Sequence, residues 1–361
     1  MGASTKDHRT VLITGGAGFV GSTMALKWKS ADPSRRVICL DNLKRRGSEL
    51  NLPRLRSAGI EFVHGDVRDA NDLAALPKID LMIECSAEPS VMAGYGSPTH
   101  YVTDTNLVGT INCLNLAARD KADTVFLSTS RVYPMHLVNR LAAEGTAQSF
   151  TIDAHTGIPG ASAAGIGEDF PLMGLRSLYG ATKLASELLI AEYAHIHGFR
   201  YVIDRCGVIA GPWQMGKTDQ GFILLWLARH HWKQPLKYFG FGGTGKQVRD
   251  VLHVDDLFDL VVAQVASMDA MHARTFNVGG GLDNSVSLQE LSAKCAAITG
   301  NTLDIGGEPL DREADIRLYV TDNTRITEAT GWRPERNIDQ LLADCHAWLA
   351  EHEQTLKPIL G

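Results

Sequence analysis

The run Thr14-Gly15-Gly16-Ala17-Gly18-Phe19-Val20-Gly21 constrains the fold more than any other part of the chain. It follows Arg9-Thr10-Val11-Leu12-Ile13, an apolar, β-branched stretch that reads as a buried strand, and it opens into Phe19 to Ser30, which has helical spacing. Glycines at 15, 18 and 21 suit a turn in which main-chain N–H groups and a helix start face a pyrophosphate, because no Cβ stands in the way. A glycine-rich turn alone is common. Here a second strand, Arg36-Val37-Ile38-Cys39-Leu40, follows the helix and ends in Asp41, at the distance where a carboxylate meets adenosine ribose hydroxyls. Together these features predict a bound dinucleotide.

From Val11 to about Asp204, short apolar strands alternate with helical segments, the pattern of a doubly wound parallel α/β sheet. The further strands are Ile60 to Val63, Ile79 to Glu84 and Thr124 to Ser128. Between the last two, Asp104 is expected to cap a helix with Leu107, Ile111, Leu114 and Ala118 on one face. Residues just beyond strand ends face the ligand crevice, so Asp66-Val67 is expected to edge the adenine, with Asp66 accepting from its amino group. Residues 9–212 with 246–281 are expected to form the Rossmann-like nucleotide-binding domain, and 213–245 with 282–361 a smaller, mixed substrate domain.

Residues 135–178 break this rhythm, being long, rich in Ala, Gly and Ser and without periodicity; a functional lid is expected there, with a disordered insertion as the alternative. Phe222 to Trp232 reads as an apolar, Trp-bearing helix, and Ile338 to His352 as an amphipathic one. The 361 residues carry 35 basic against 41 acidic side chains in dispersed order, so no polycationic surface points to nucleic acid or to a membrane. The polar start Met1 to Lys6 is expected to be no leader, and the six cysteines, without a C-x-x-C pair, to be reduced residues of a cytoplasmic protein. Thirteen histidines without ligand spacing predict no catalytic metal.

Tyr179-Gly180-Ala181-Thr182-Lys183 puts a phenol and an ammonium one helical turn apart on one face. The lysine charge, with a positively charged nicotinamide ring, is expected to lower the phenol pKa so that Tyr179 takes a hydroxyl proton near neutral pH. Leu127-Ser128-Thr129-Ser130-Arg131-Val132-Tyr133 adds a hydroxyl cluster at a strand end, with Thr129 placed to bond the same substrate oxygen.

The glycine turn, the Ser128-Thr129 cluster and Tyr179-x-x-x-Lys183 resemble the extended short-chain dehydrogenase/reductase family, in its nucleotide-sugar epimerase and dehydratase branch. Gly245 to Asp256 and Asn277-Val278-Gly279-Gly280 resemble that branch's sugar-nucleotide segments. Asp41-Asn42-Leu43, Asp219-Gln220-Gly221, Gly245 to His253 and the long insertion are similar to the CDP-paratose 2-epimerase group within it. The resemblance implies Thr129, Tyr179 and Lys183 as catalytic residues. It implies NAD as cofactor, held by Gly15, Gly18, Phe19, Val20, Gly21, Asp41, Asn42, Asp66, Val67, Ser86, Ala87 and Lys183. A nucleoside-diphosphate sugar would meet Glu88, Ser130, Arg131, Gln220, Arg249 and Arg312, the last two arginines gripping its diphosphate. Two helices, after Asp104 and through Tyr179, would form a homodimer.

The chain departs from the family where relatives carry His-Leu-Ala-Gly/Ala-Gln and it has Glu84-Cys85-Ser86-Ala87-Glu88. Glu88 is then a substrate contact, a second acid or base, or a plain loop residue. Dehydratases of the branch place an Asp-Glu pair where Ser130-Arg131 stand, which argues against loss of water. Asp41 repels a 2′-phosphate and favours NAD, although Lys44, Arg45 and Arg46 follow it. The expected activity is therefore an NAD-dependent epimerisation through a keto sugar. The rivals are a 4-epimerase, an NADPH-dependent reductase, and a dinucleotide-binding regulator without turnover.

Overall fold

The computed structural model of the protein describes residues 7–216 and 220–361, so Met1 to Lys6 and the Asp219 of the Asp219-Gln220-Gly221 motif lie outside the described residues. Seven parallel strands form the central sheet: β1 (Thr10–Thr14), β2 (Arg36–Asp41), β3 (Glu61–His64), β4 (Leu81–Glu84), β5 (Asp123–Thr129), β6 (Tyr201–Cys206) and β7 (Arg274–Val278). Their spatial order is β7-β6-β5-β4-β1-β2-β3. The order in which strands are added reverses between β1 and β4, the switch point at which such sheets open a ligand crevice.

Strand alternation sorts the core into two layers. Val11 and Ile13 of β1 join Met24, Ala25 and Trp28 of α1 (Phe19–Ala31) on one face. Leu12 joins Cys113, Leu114 and Ala117 of α2 (Gly109–Asp120) and Ile190 and Ala194 of α3 (Leu178–His197) on the other. The sheet is Rossmann-like, as its sequence pattern predicts. A second sheet joins Val208–Ala210, Val248–His253, Ser285–Ser287 and Leu318–Tyr319. Beside it α4 (Phe222–His231) and the helices Leu288–Thr299 and Ile338–Glu351 share an apolar core.

Two expectations are corrected. Asp104 caps nothing, because the helix already begins at His100–Thr103 and passes through a π-helical turn, Asp104–Val108, before α2. In that turn Gly109 N donates to Asp104 O, and the Asn106 carbonyl accepts from the Ser186 and Thr110 hydroxyls, both at 3.0 Å. Residues 135–178 are neither a disordered insertion nor a lid: they form a short helix and two hairpins, and none of them lines either cavity described below. Their Val138, Leu141, Ile158, Ile166 and Phe170 bury against Ile316 and Tyr319, which do line a cavity.

Asp204 in β6 is fully buried, and only Gln264 bonds it, Nε2 donating to Oδ1 at 2.7 Å. Asp204 Oδ2 and Gln264 Oε1 are left without partners among the described residues, a setting in which the neutral acid costs less than the carboxylate. Burial accordingly pushes the Asp204 pKa up to about 7. The sign follows: the folded pKa exceeds the unfolded one, so this stabilisation is complete below about pH 4 and fades as pH rises to about 7. Asp204→Asn, which places a permanent donor there, is expected to raise the melting temperature at pH 8 and not at pH 4.5, as read by calorimetry.

Candidate functional site

Two cavities meet at the C-terminal edge of the central sheet. The first, about 550 Å³, is lined by Gly15, Gly18, Phe19, Val20, Asp41 and Asn42, with Val67, Ser86, Ala87 and Glu88 along the opposite wall. Gly15 has φ +64°, and a Cβ on it would stand 3.0 Å from the Cys85 backbone; a Cβ on Gly21 would stand 2.2 Å from Gly15 O. These glycines bring the turn under the N-terminus of α1, whose first turn holds no acidic residue. The result is a cradle of main-chain donors for an anion. Asp41 buttresses it, accepting from Ala17 N at 3.1 Å and Leu43 N at 2.8 Å, while Asn51 donates to Ala17 O at 2.9 Å. Nothing in the sequence marks Asn51, whose Oδ1 is held in turn by Arg54 Nη1 at 2.6 Å.

The second cavity, about 660 Å³, is lined by Thr129, Ser130, Arg131, Tyr179, Gln220, Arg249 and Arg312. Phe19, Val20, Cys85 and Ala87 belong to both cavities, and the phenol lines the second. Ser177 caps α3 and bonds Gly180 N, and Gly180 itself has no room for a Cβ, because Arg131 O would be 2.1 Å from it. That close approach fixes the first turn of α3, with Tyr179 on it, against the Thr129 strand end. Behind Thr129 a buried network holds the strand: Ser128 Oγ donates to Glu187 Oε1 at 2.5 Å, and Arg205 Nη2 to Glu187 Oε2 at 2.7 Å. Arg205 Nη1 then donates to Tyr133 OH at 3.2 Å, and Tyr133 OH to Asn277 Oδ1 at 2.7 Å.

The electrostatics differ from expectation at the phenol. Loss of hydration pushes the Tyr179 pKa up to about 12, and the groups that pull it down are a hydrogen bond with Thr129 and the charge of Arg131. Lys183 is packed behind the site, its Nζ 3.7 Å from the centroid of the Phe126 ring, and lines neither cavity. Spacing along the helix put the two side chains on one face, but the lysine turns toward the sheet.

Other positions also need restating. Asp66 does not line the cofactor cavity: Arg68 donates to both its oxygens, Asn42 Nδ2 adds a bond of 2.8 Å, and the Arg68 bond holds its pKa down near 2. Glu88 lies on the first cavity rather than the second. Its Oε1 accepts from Ser90 N at 3.1 Å, and its main chain is clamped by Asn106. Arg249 is fastened to the loop ahead of Leu318–Tyr319, donating to Ile316 O at 2.7 Å and Asp315 Oδ1 at 3.1 Å. Arg312 stacks 3.6 Å from the centroid of the Phe239 ring, and Trp226, Phe239 and Asp315 line the same cavity without having been singled out in the sequence. Arg45 and Arg46, near the ribose end, donate to Met215 O and Pro358 O.

The profile of the NAD dependent epimerase/dehydratase family matches residues 11–279, the span that holds both the glycine turn and the phenol. The chain belongs to that family. Its members use NAD, and the glycine cradle with Asp41 at the far end of the first cavity fits that dinucleotide. Among curated members, the chain is 30% identical to the CDP-paratose 2-epimerase of Salmonella typhi, over 94% of this chain and 98% of the relative. It is 26% identical to a dTDP-glucose 4,6-dehydratase of Xanthomonas campestris pv. campestris, covering 97% and 96%. A solved UDP-glucose 4-epimerase from Thermotoga maritima superposes with TM-score 0.76 at 22% identity, covering 95% of this chain and 99% of that one. Among the described residues of this epimerase/dehydratase family member, no helix is long and apolar enough to cross a membrane.

Proposed function

We propose that this protein inverts one hydroxyl-bearing carbon of a nucleoside-diphosphate sugar, carbon 2 of a CDP-sugar such as CDP-paratose, with NAD retained through the cycle. The carrying observation is that Thr129 and Tyr179 line the second cavity together with Arg131, Arg249 and Arg312, and that this cavity shares Phe19, Val20, Cys85 and Ala87 with the first. Arg131, Arg249 and Arg312 supply guanidinium donors for a diphosphate, and the Arg312 and Phe239 stack offers a flat apolar wall for a pyrimidine. Bound NAD supplies the hydride acceptor and returns the hydride.

The chain's own groups do the rest. Thr129 bonds the sugar hydroxyl, and Tyr179, once its phenol is brought down toward neutrality, takes the hydroxyl proton as the C–H bond breaks. The phenol hands the same proton back when hydride returns to the opposite face of the keto carbon, so atoms and electrons balance without an outside reductant. Elimination of water needs a side chain to remove a carbon-bound proton and another to protonate the departing hydroxyl. Ser130 and Arg131, beside Thr129, are poor at both, which favours epimerisation over dehydration.

Incubating the protein with CDP-paratose and following the product by nuclear magnetic resonance tests this reading. Inversion at carbon 2 without net consumption of NAD supports it. A 4-keto product or an inverted carbon 4 from other nucleotide sugars assigns a sister activity instead.

The assembly belongs to the same reading. Leu188 and Ile196 on α3 are 67% and 68% exposed, and Val108 beside α2 is 42% exposed, an apolar strip of the kind that two copies would bury. Leu188→Glu is expected to shift the sedimentation coefficient from that of a dimer to that of a monomer. An unchanged coefficient would place the contact elsewhere.

A further inference from the structure

Glu84, at the C-terminal end of β4, is a buried carboxylate that the reaction scheme above leaves without a role. It is 1% exposed, accepts from Thr110 Oγ1 at 2.6 Å through Oε1, and has no hydrogen-bond partner for Oε2 among the described residues. A carboxylate oxygen left so is costly unless a cation stands near it. Strand register shows which cation that is. Glu84 is the Cα partner of Phe126 in the pairing of β4 with β5, and paired residues of neighbouring strands project from the same face. The ammonium of Lys183, itself 2% exposed, rests over the ring of that same Phe126. Lysine and carboxylate therefore share one compartment, enclosed by the sheet, α2 and α3.

The other titratable groups facing this compartment do not compete. Glu187, one turn along α3 from Lys183, has both oxygens engaged by Arg205 and Ser128. The thiols of Cys85 on the β4 end, Cys113 on α2 and Cys206 on β6 are all pushed up by burial and stay neutral. Burial drives the Lys183 pKa down, and Glu84 leads the charges that oppose the drop.

We propose that Glu84, anchored by Thr110, is a positioning residue that supplies the buried countercharge of Lys183 and keeps its ammonium charged and seated over Phe126, behind the two cavities. The proposal rests on the functional reading above in taking Lys183 as the family lysine. The pairing itself needs only the fold.

A double-mutant cycle on the full chain, Glu84→Gln, Lys183→Met and the two combined, read by thermal melting and by calorimetric titration with NAD, tests it. Each single change strands one buried charge or its partner, so each is expected to lower the melting temperature, and the double variant is expected to melt above both singles. Glu84→Gln is expected to weaken NAD binding about tenfold at pH 9 and less at pH 7, because a lysine without its countercharge loses its proton sooner; in the Lys183→Met background that pH dependence disappears. Additive melting losses, or the same pH profile with and without Lys183, would overturn the proposal. If Glu84→Gln does not fold alone, recovery of a folded double variant supports the pairing and failure of the double variant overturns it. Failure of the wild type to bind NAD would count against the functional reading, while the melting cycle would still judge the charge pair.

Discussion

Tyr179→Phe is expected to cut turnover on a nucleotide sugar about a thousandfold while leaving melting temperature and NAD affinity close to wild type. The size follows from the site. The phenol lines the second cavity, and the other hydroxyls there, those of Thr129 and Ser130, are far weaker acids than a phenol. The small structural cost follows too, because the phenol's bond is with Thr129 at the cavity wall and not with a group in the core. Steady-state kinetics beside a melting curve checks both halves. Equal losses in stability and rate would mean that the hydroxyl holds the fold rather than the proton.

Gly21→Ala is expected to abolish NAD binding and to lower the melting temperature, whereas Gly18→Ala weakens NAD with little change in melting. The glycines look equivalent in the sequence and are not equivalent in space. A methyl group on Gly21 would meet Gly15 O at 2.2 Å and Gly16 Cα at 2.9 Å, so the turn could not close beneath α1. On Gly18 its nearest neighbour would be Gly15 O at 3.1 Å, a contact that a small shift relieves. Gly18, like Gly21, lines the cavity, so with the turn still closed its methyl group would intrude on the ligand instead. Calorimetric titration with NAD, run beside differential scanning calorimetry, separates the two effects. Identical profiles for the two variants would contradict the distinction between a glycine without which the turn cannot close and one that the turn could replace.

Much of this arrangement was legible in the sequence because it is local. Strand β1, the turn, α1 and β2 with Asp41 follow each other within about one supersecondary unit, and each carries its own period or its own glycine requirement. The hydroxyl cluster at Thr129 and the phenol one strand-end away were likewise legible, since the ends of parallel strands face one crevice. What escaped depends on contacts far along the chain. The hairpins of residues 135–178 are two or three residues per strand, too short for a period, and they are ordered by Ile316 and Tyr319. The π-helical turn at Asp104–Val108 reads like any helix, because its extra residue shows only in the main-chain bond from Gly109 N to Asp104 O. Asp66 carries the right side chain in the right place, but Arg68, two residues on, takes its oxygens. The direction of the Tyr179 shift was missed for a related reason: helical spacing gives which residues share a face and says nothing of how far a lysine tail swings toward Phe126.

The central claim is that one carbon of a nucleotide sugar gives up hydride and takes the same hydride back on its other face beside Tyr179. Loading the protein with NAD and supplying CDP-paratose deuterated at carbon 2 in ordinary water tests this most directly, with mass and resonance analysis of the product. The account predicts an inverted carbon 2 that retains its deuterium. Loss of the label to solvent, or recovery of the sugar with no carbon inverted, would contradict it.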